Sequence, residues 1–352
     1  MIGIGENMKI VKITKRHYVG NVYNFHCTPD QNYFSEGVLV HNCYKGNSIG
    51  QQAKHMSLET FQHIMDVVPK NLLQAAMGLT NTEANPDFWA IIDECNKRSV
   101  KANYTTHGLD ITPEIARKTK EKCGAVAVSI VQREKSYNAV KMFTDAGMDQ
   151  VNIHFVLSKQ SIKKAERTID DITNDPRLAK LNAIVFLQYK PKGRNPSLFD
   201  SIPDVETYKK IISKCKEKGV RLGFDSCSAP LFFKAVEGQD DQDKLIQLAE
   251  PCESFGMFSL YISVNAIAFP CSFAEGEKGW EEGFNIMDCK NHDDFLKQIW
   301  HSDKMKKWRD RMLVASQDCD CQFTKVCRFC PIFDITPCRK ENSNASNLQI
   351  CN

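Results

Sequence analysis

Between about residue 57 and residue 225 the chain repeats one unit: an amphipathic helix, a stop, then a short and almost wholly apolar strand. Strands of this kind are covered on both faces, so the repeat specifies a parallel sheet flanked by helices. Six stretches read as its strands: Leu72–Gly78, Val100–His107, Ala125–Val131, Gln150–Leu157, Ala183–Tyr189 and Arg221–Asp225. The intervening helices carry their own punctuation. Ser57 can cap a helix with the apolar stripe Phe61, Ile64, Met65 and Val68. Asn85-Pro86 and Thr112-Pro113 open two more, and Gly124, Gly147 and Gly219 stand where helices end. An open doubly wound sheet and a partial barrel both satisfy the pattern, because periodicity sets the elements and not their pairing order.

The flanks differ from this middle. Residues 8–42 alternate apolar and polar side chains in short runs, an all-β stretch too small to bury a core alone, so it needs partner strands. Past Ser228 the repeat stops. Ser259–Cys271 reads as a hairpin turning near Asn265-Ala266, and Asp293–Met312 as an amphipathic helix carrying Phe295, Ile299 and Trp300. A polar tail comes after Cys338.

Fifteen cysteines need a chemical reason. The N-terminus lacks the basic-then-apolar order of an export signal, which leaves a cytoplasmic setting and makes metal ligation a better reason than disulfides. Cys95, Cys123 and Cys215 fall at apolar helix positions and read as packing residues. Cys252, Cys271, Cys319, Cys321, Cys327, Cys330 and Cys338 are too dense for that. They suit either a structural zinc or iron–sulfur clusters. A net charge of +3, from 46 basic and 43 acidic residues spread along the chain, gives no basic patch for nucleic acid. No apolar run spans a bilayer.

At His41-Asn42-Cys43 three chemistries meet. An asparagine amide can attack its own carbonyl and break the next peptide bond, an imidazole can protonate the group that leaves, and a thiol can first accept an upstream acyl group. The approach to it, Asn21–Cys27, Asp30–Phe34 and Gly37–Cys43, resembles the C-terminal motif of inteins, and Lys9–Arg16 resembles the start of a split intein's C-terminal fragment. The resemblance implies Asn42 as the cyclising residue, His41 as its assistant and Cys43 as the acceptor nucleophile. Asn24 and Gln31 stand where many inteins carry Asp and His.

Cys43-Tyr44-Lys45-Gly46 also resembles the exit of the radical SAM loop, Cys-x-x-x-Cys-x-x-Cys, whose cysteines hold a [4Fe–4S] cluster. Nothing between Cys27 and Cys43 supplies the first two. The combined resemblance therefore implies a partner: an N-terminal intein and extein fragment that brings the first barrel strand and both cysteines, joined by splicing. Downstream, Gly78 and Glu83 echo the Gly-Gly-Glu motif near the amino group of S-adenosylmethionine. Ser129, Asn152, His154 and Gln188 read as lining the mouth at the strand ends. Lys190, Lys192 and Arg194 read as a basic loop that either meets a carboxylate or stays solvated. The late cysteines resemble the SPASM/Twitch extension, although its usual Cys-x2-Cys-x5-Cys-x3-Cys stands here as Cys319-x-Cys321-x5-Cys327-x2-Cys330.

The expected fold is α/β. It comprises a small all-β intein fragment (1–42), a partial radical SAM (β/α)6 TIM-like barrel lacking its first strand (43–227), and an irregular Cys-rich α+β domain (228–352). The resemblance implies reductive cleavage of S-adenosylmethionine after splicing, an auxiliary iron–sulfur cluster, an electron donor and a peptide or protein substrate. The competing reading is a zinc-stabilised binding protein with a degenerate, non-catalytic barrel.

Overall fold

The structure is a computed structural model that describes residues 32–35, 38–41, 55–79, 81–191, 201–317, 322–323 and 327–332. The chain divides into two compact units, Met1–Asn42 and Cys43–Asn352. In the first, β1 (Asn32–Ser35) pairs antiparallel with β2 (Val38–His41), with Asn32 opposite His41 and Ser35 opposite Val38. The strands expected before residue 31 lie outside the described residues, as do Asn42 and Cys43.

The second unit is built on β3 (Gln74–Gly78), β4 (Lys101–Thr106), β5 (Ala125–Ser129), β6 (Val151–Leu157), β7 (Ala183–Gln188) and β8 (Leu222–Phe224). These form one six-stranded sheet in chain order, and every neighbouring pair is parallel. A doubly wound sheet reverses its strand order at a switch point. Here the order never reverses, so right-handed crossovers place every connecting helix on the same face, as in a barrel wall.

The connecting helices are α2 (Phe88–Lys97), α3 (Pro113–Lys122), α4 (Arg133–Asp145), α5 (Ile162–Asn174) and α6 (Val205–Lys218), while α1 (Leu58–Val67) precedes β3 and α7 (Ala229–Val236) follows β8. Their ends obey local chemistry. Ser57 Oγ accepts from Thr60 N at 3.2 Å, and Thr112 Oγ1 from Ile115 N at 3.2 Å. Gly219 closes α6 at φ 64°. The expected start of α2 at Pro86 shifts to Phe88: Asn85 Oδ1 takes Asp87 N at 2.9 Å, holding a turn there, and the first helical bond runs from Ile91 N to Asp87 O.

The two faces of the sheet differ in bulk. Toward the helices point Tyr104, Val126, Val128, Ile153, Phe155, Ile184 and Phe186, each buried. Tyr104 donates to or accepts from Thr119 on α3, and the Phe186, Phe224 and Phe232 rings stack in series between the sheet and α7. Each such side chain contributes about 1.5–3 kcal/mol by leaving water. Cys95 and Cys215 are fully buried in this core, and Cys123 packs against it, as their helix positions foretell.

After α7 come the short α8 (Gln242–Leu245) and a three-stranded antiparallel sheet of β9 (Tyr261–Ile262), β10 (Ile267–Phe269) and β11 (Phe284–Asn285). The hairpin turns where expected: Ser263 N donates to Ile267 O at 2.9 Å, and Ala266 sits at φ 59°. The single helix expected over 293–312 is instead α9 (His292–Phe295), a π-helical turn to Trp300, and α10 (Asp303–Gln317). Ser302 causes the break, since its Oγ accepts from Met305 N at 3.2 Å and starts a new helix. No helix among the described residues is long and apolar enough to cross a membrane.

Gly108 marks where this packing has no slack. It sits at φ 71°, and a Cβ there would lie 2.8 Å from Ala139 Cβ and 2.9 Å from Val128 Cγ1. Gly219 shares the positive φ but faces open space. Gly108→Ala should therefore cost about 2–4 kcal/mol and Gly219→Ala about 1 kcal/mol, read as urea midpoints at unchanged slope.

Candidate functional site

A parallel sheet with helices on one face leaves its other face to be filled by something else. Strand register identifies that face. One row across it runs Gly78, Thr105, Ala127, Asn152 and Ala183, and the next runs Ser129, His154, Val185 and Gly223. Apart from His154 and Val185 these are small or short polar side chains, so the face keeps room for a ligand where the opposite face is packed with aromatic rings.

The residues expected at the mouth divide accordingly. Gly78 and Ser129 end β3 and β5 on this open face. Asn152 shares the face but enters β6 rather than leaving it, and its Oδ1 accepts from Asn182 Nδ2 at 2.9 Å. Gln188 does not share it. As the last residue of β7 it joins Ile184 and Phe186 on the helix side, where its Oε1 accepts from Tyr208 Oη at 3.1 Å and only 2% of it is exposed. Glu83 is exposed in the loop after β3. Its neighbour Thr82 is buried and fastens that loop: Asp110 Oδ2 accepts from Thr82 N at 2.7 Å and Thr82 Oγ1 at 2.8 Å. His154 is the histidine of the open face. Burial pushes its pKa down to about 4, against a small opposing pull from Asp225, so the imidazole is neutral near pH 7.

At the exits of β7 and β8 stands a polar lock whose carboxylate the sequence does not identify. Lys190, expected either to meet a carboxylate or to stay solvated, is buried. Its Nζ donates to Gln188 O and to Asp225 Oδ2, each at 3.0 Å, and sits 4.3 Å from the centre of the Phe273 ring. Asp225 Oδ1 meanwhile accepts from Gln188 N, Ser228 N and Ser228 Oγ. Burial disfavours the ammonium, yet Asp225 and Cys227 beside it raise the Lys190 pKa above its ordinary value. Lys192 and Arg194 lie outside the described residues.

Next to this lock is a cavity of about 290 Å3 lined by Lys190, Asp225 and four cysteines: Cys227, Cys252, Cys271 and Cys330. Three of the four belong to the expected metal set. Burial pushes the Cys271 thiol up to about 12, and the thiols of Cys330 and Cys252 add to the shift. Cys227 is raised well above its ordinary value, again first by burial, with the same two neighbours contributing. Cys327, expected in the set, packs against the main hydrophobic core. Cys43, Cys319, Cys321 and Cys338 lie outside the described residues. Among the described residues, no three His, Cys, Asp or Glu side chains close on one point as a single ion requires. Cys227 escapes a reading of the sequence alone. Its one signal is position, directly after the last short strand in Asp225-Ser226-Cys227-Ser228.

No family description matches this chain, and no curated protein matches it. Solved structures do. Native anSMEcpe with bound AdoMet is similar at a TM-score of 0.51 and 14% identity, over 77% of this chain and 79% of that one. Native anSMEcpe with bound AdoMet and Cp18Cys peptide matches at 0.51 and 13%, over 77% and 80%. SuiB of Streptococcus suis bound to precursor peptide SuiA matches at 0.49 and 13%, over 66% and 54%. The likeness to anSMEcpe shows the fold: a TIM-like α/β sheet of six parallel strands with helices, joined here to a small antiparallel sheet.

His154 gives this face a pH signature. A histidine held neutral in the fold binds fewer protons than the unfolded chain, so its stabilisation is complete above about pH 6.5 and is lost as pH falls toward 4. Between pH 7.5 and 5, wild type should lose about 2 kcal/mol more stability than His154→Gln, measured by denaturant unfolding.

Proposed function

We propose that this chain is the precursor of a radical SAM enzyme that modifies a peptide, completed by splicing at Asn42–Cys43. The observation that carries the enzyme reading is the open face of small side chains at the strand ends, in a fold shared with an AdoMet-bound structure. Gly78 and Ser129 lie on that face, and the S-adenosylmethionine site would be built there with the loop of Glu83 above it. Neutral His154 offers a hydrogen-bond partner without adding charge beside a sulfonium. The AdoMet-bound and peptide-bound relative supports a peptide or protein as substrate.

Cys43 would be one of three thiolates on a [4Fe–4S] cluster, the other two arriving with the N-terminal partner. When bound, such a cluster supplies the electron for reductive cleavage of S-adenosylmethionine to a 5′-deoxyadenosyl radical, and a separate donor must deliver that electron. The splicing reading rests on His41-Asn42-Cys43 and gains support from the boundary between the two compact units, which falls at the same peptide bond. An auxiliary cluster is supported by the cysteine-lined cavity, whose size suits thiolates standing around several metal atoms. A reducing cytoplasm suits both sets of thiols.

Two experiments test this. Replacing residues 1–42 by a segment ending in Cys-x-x-x-Cys-x-x, fused directly to Cys43, should give a protein that forms 5′-deoxyadenosine from S-adenosylmethionine with dithionite after anaerobic reconstitution. The chain carrying residues 1–42 should form none. Equal output from both, or none from the fusion, removes the enzyme reading. Separately, incubation with an intein N-terminal fragment should release a Cys43-joined product seen by mass spectrometry. Asn42→Ala should abolish it, and persistence of that product in the variant would sink the splicing reading.

A further inference from the structure

Cys252, Cys271, Cys327 and Cys330 are the described members of the dense cysteine set that the sequence assigns to metal ligation. The cavity contains three of these and replaces the fourth. Its wall holds Cys227, while Cys327 packs against the main core and its backbone N bonds to Phe323 O at 2.7 Å. Cys227 differs in origin from the others. It lies on the turn between β8 and α7, so it belongs to the barrel, whereas Cys252, Cys271 and Cys330 belong to the extension.

The same wall carries a fixed cation. Lys190 Nζ is held by Gln188 O and Asp225 Oδ2 and capped by the Phe273 ring, so it cannot swing away to water. A buried ion pair of this kind is costly unless each charge has further partners. Asp225 has them in Ser228 and the Gln188 amide. Lys190 has them in Gln188 O and the Phe273 ring, and it also lines the cavity whose wall carries the four thiols. Four thiolates around an iron–sulfur core carry net negative charge, and a buried ammonium is the group that offsets it.

We infer that Cys227 is a thiolate ligand of the group held in this cavity, together with Cys252, Cys271 and Cys330, and that Lys190 is its counter-cation. This rests on the auxiliary-cluster part of the proposed function. It adds that the site joins the exit of β8 to the cysteine-rich extension, with Asp225 as the positioning residue for Lys190.

The chain as it stands suits the test, since only Cys43 of the loop cysteines is present and the iron taken up reports on the later cysteines. The 352-residue chain is reconstituted anaerobically with ferrous iron and sulfide, and metal content, the electron paramagnetic resonance spectrum and the reduction potential are read. Cys227→Ala should lose about one cluster, roughly four iron atoms, relative to wild type. Cys289→Ser, a buried cysteine away from the cavity wall, should lose none. Cys227→Ser, which keeps size and polarity, should retain less iron than wild type or show a changed spectrum. Lys190→Gln should keep its iron but become harder to reduce, with Lys190→Arg restoring the potential. Wild-type iron content and spectrum in both Cys227 variants would overturn the inference while leaving the auxiliary cluster standing. Stoichiometric zinc in place of iron, lost in Cys227→Ala, would overturn the cluster and support Cys227 as a ligand. A wild-type protein that takes up neither metal overturns both.

Discussion

The sheet works because each strand keeps its bulk on one side. Parallel strands joined in chain order by right-handed crossovers send all their helices to a single face, so that face alone must be filled by aromatic and branched side chains. Tyr104, Val128, Phe155 and Phe186 fill it, and each is at most 4% exposed. The other face is then free of the demand for packing and can carry glycine, serine, threonine and alanine in adjoining rows. Stability and ligand space are separated by strand parity. Gly108 sits against the packed side, touching Val128 of β5 and Ala139 of α4.

Asp225 ties this wall to the cysteine-rich extension. Through one oxygen it takes the Gln188 amide of β7 and both donors of Ser228 at the start of α7, and through the other it holds Lys190. A carboxylate so fully occupied orients two strand ends and a helix at once. Lys190 in turn lies under Phe273, beyond the hairpin of β9 and β10, so its cation–π contact joins the ion pair at the barrel exit to the extension. The same pair lines the four-cysteine cavity. Its position is set by the fold of the strand ends and not by the cysteine spacing alone.

Much of the fold is legible in the sequence because its signals are local. Ser57 and Thr112 bond their helices' first amides, Gly219 ends α6, and six apolar runs become six strands. The order in which those strands pair is not local and emerges only in the structure. Within the site, parity is the hidden variable. In β7 the residues Val185 and Leu187 are as apolar as Ile184 and Phe186, so hydrophobicity cannot say which side Gln188 takes. In β6 alternation is plain and groups Asn152 with His154 on one face, while leaving their height along the strand undetermined. The partner of Lys190 is concealed for a related reason. A lysine beside Pro191 and Lys192 has no identified carboxylate until one far along the sequence, Asp225, folds against it. Cys227 has no motif of its own, and only the convergence of separate segments gives it neighbours.

The edge of the sheet bears on the proposed partner. Among the described residues β3 pairs with β4 alone, and none of its residues is buried, whereas alternate residues of β4 are. Leu73, directly before β3, is 83% exposed, the most exposed of the large hydrophobic side chains described. An unpaired edge with an apolar neighbour is an invitation to strand addition, and folded proteins cover or charge such edges. A strand laid against β3 would satisfy its free amides and carbonyls and shield Leu73 together. The fragment proposed to arrive through Cys43 would bring such a strand along with two thiols. Completing the sheet and completing the metal loop would then be one event, with barrel stability and cluster assembly gained at the same step.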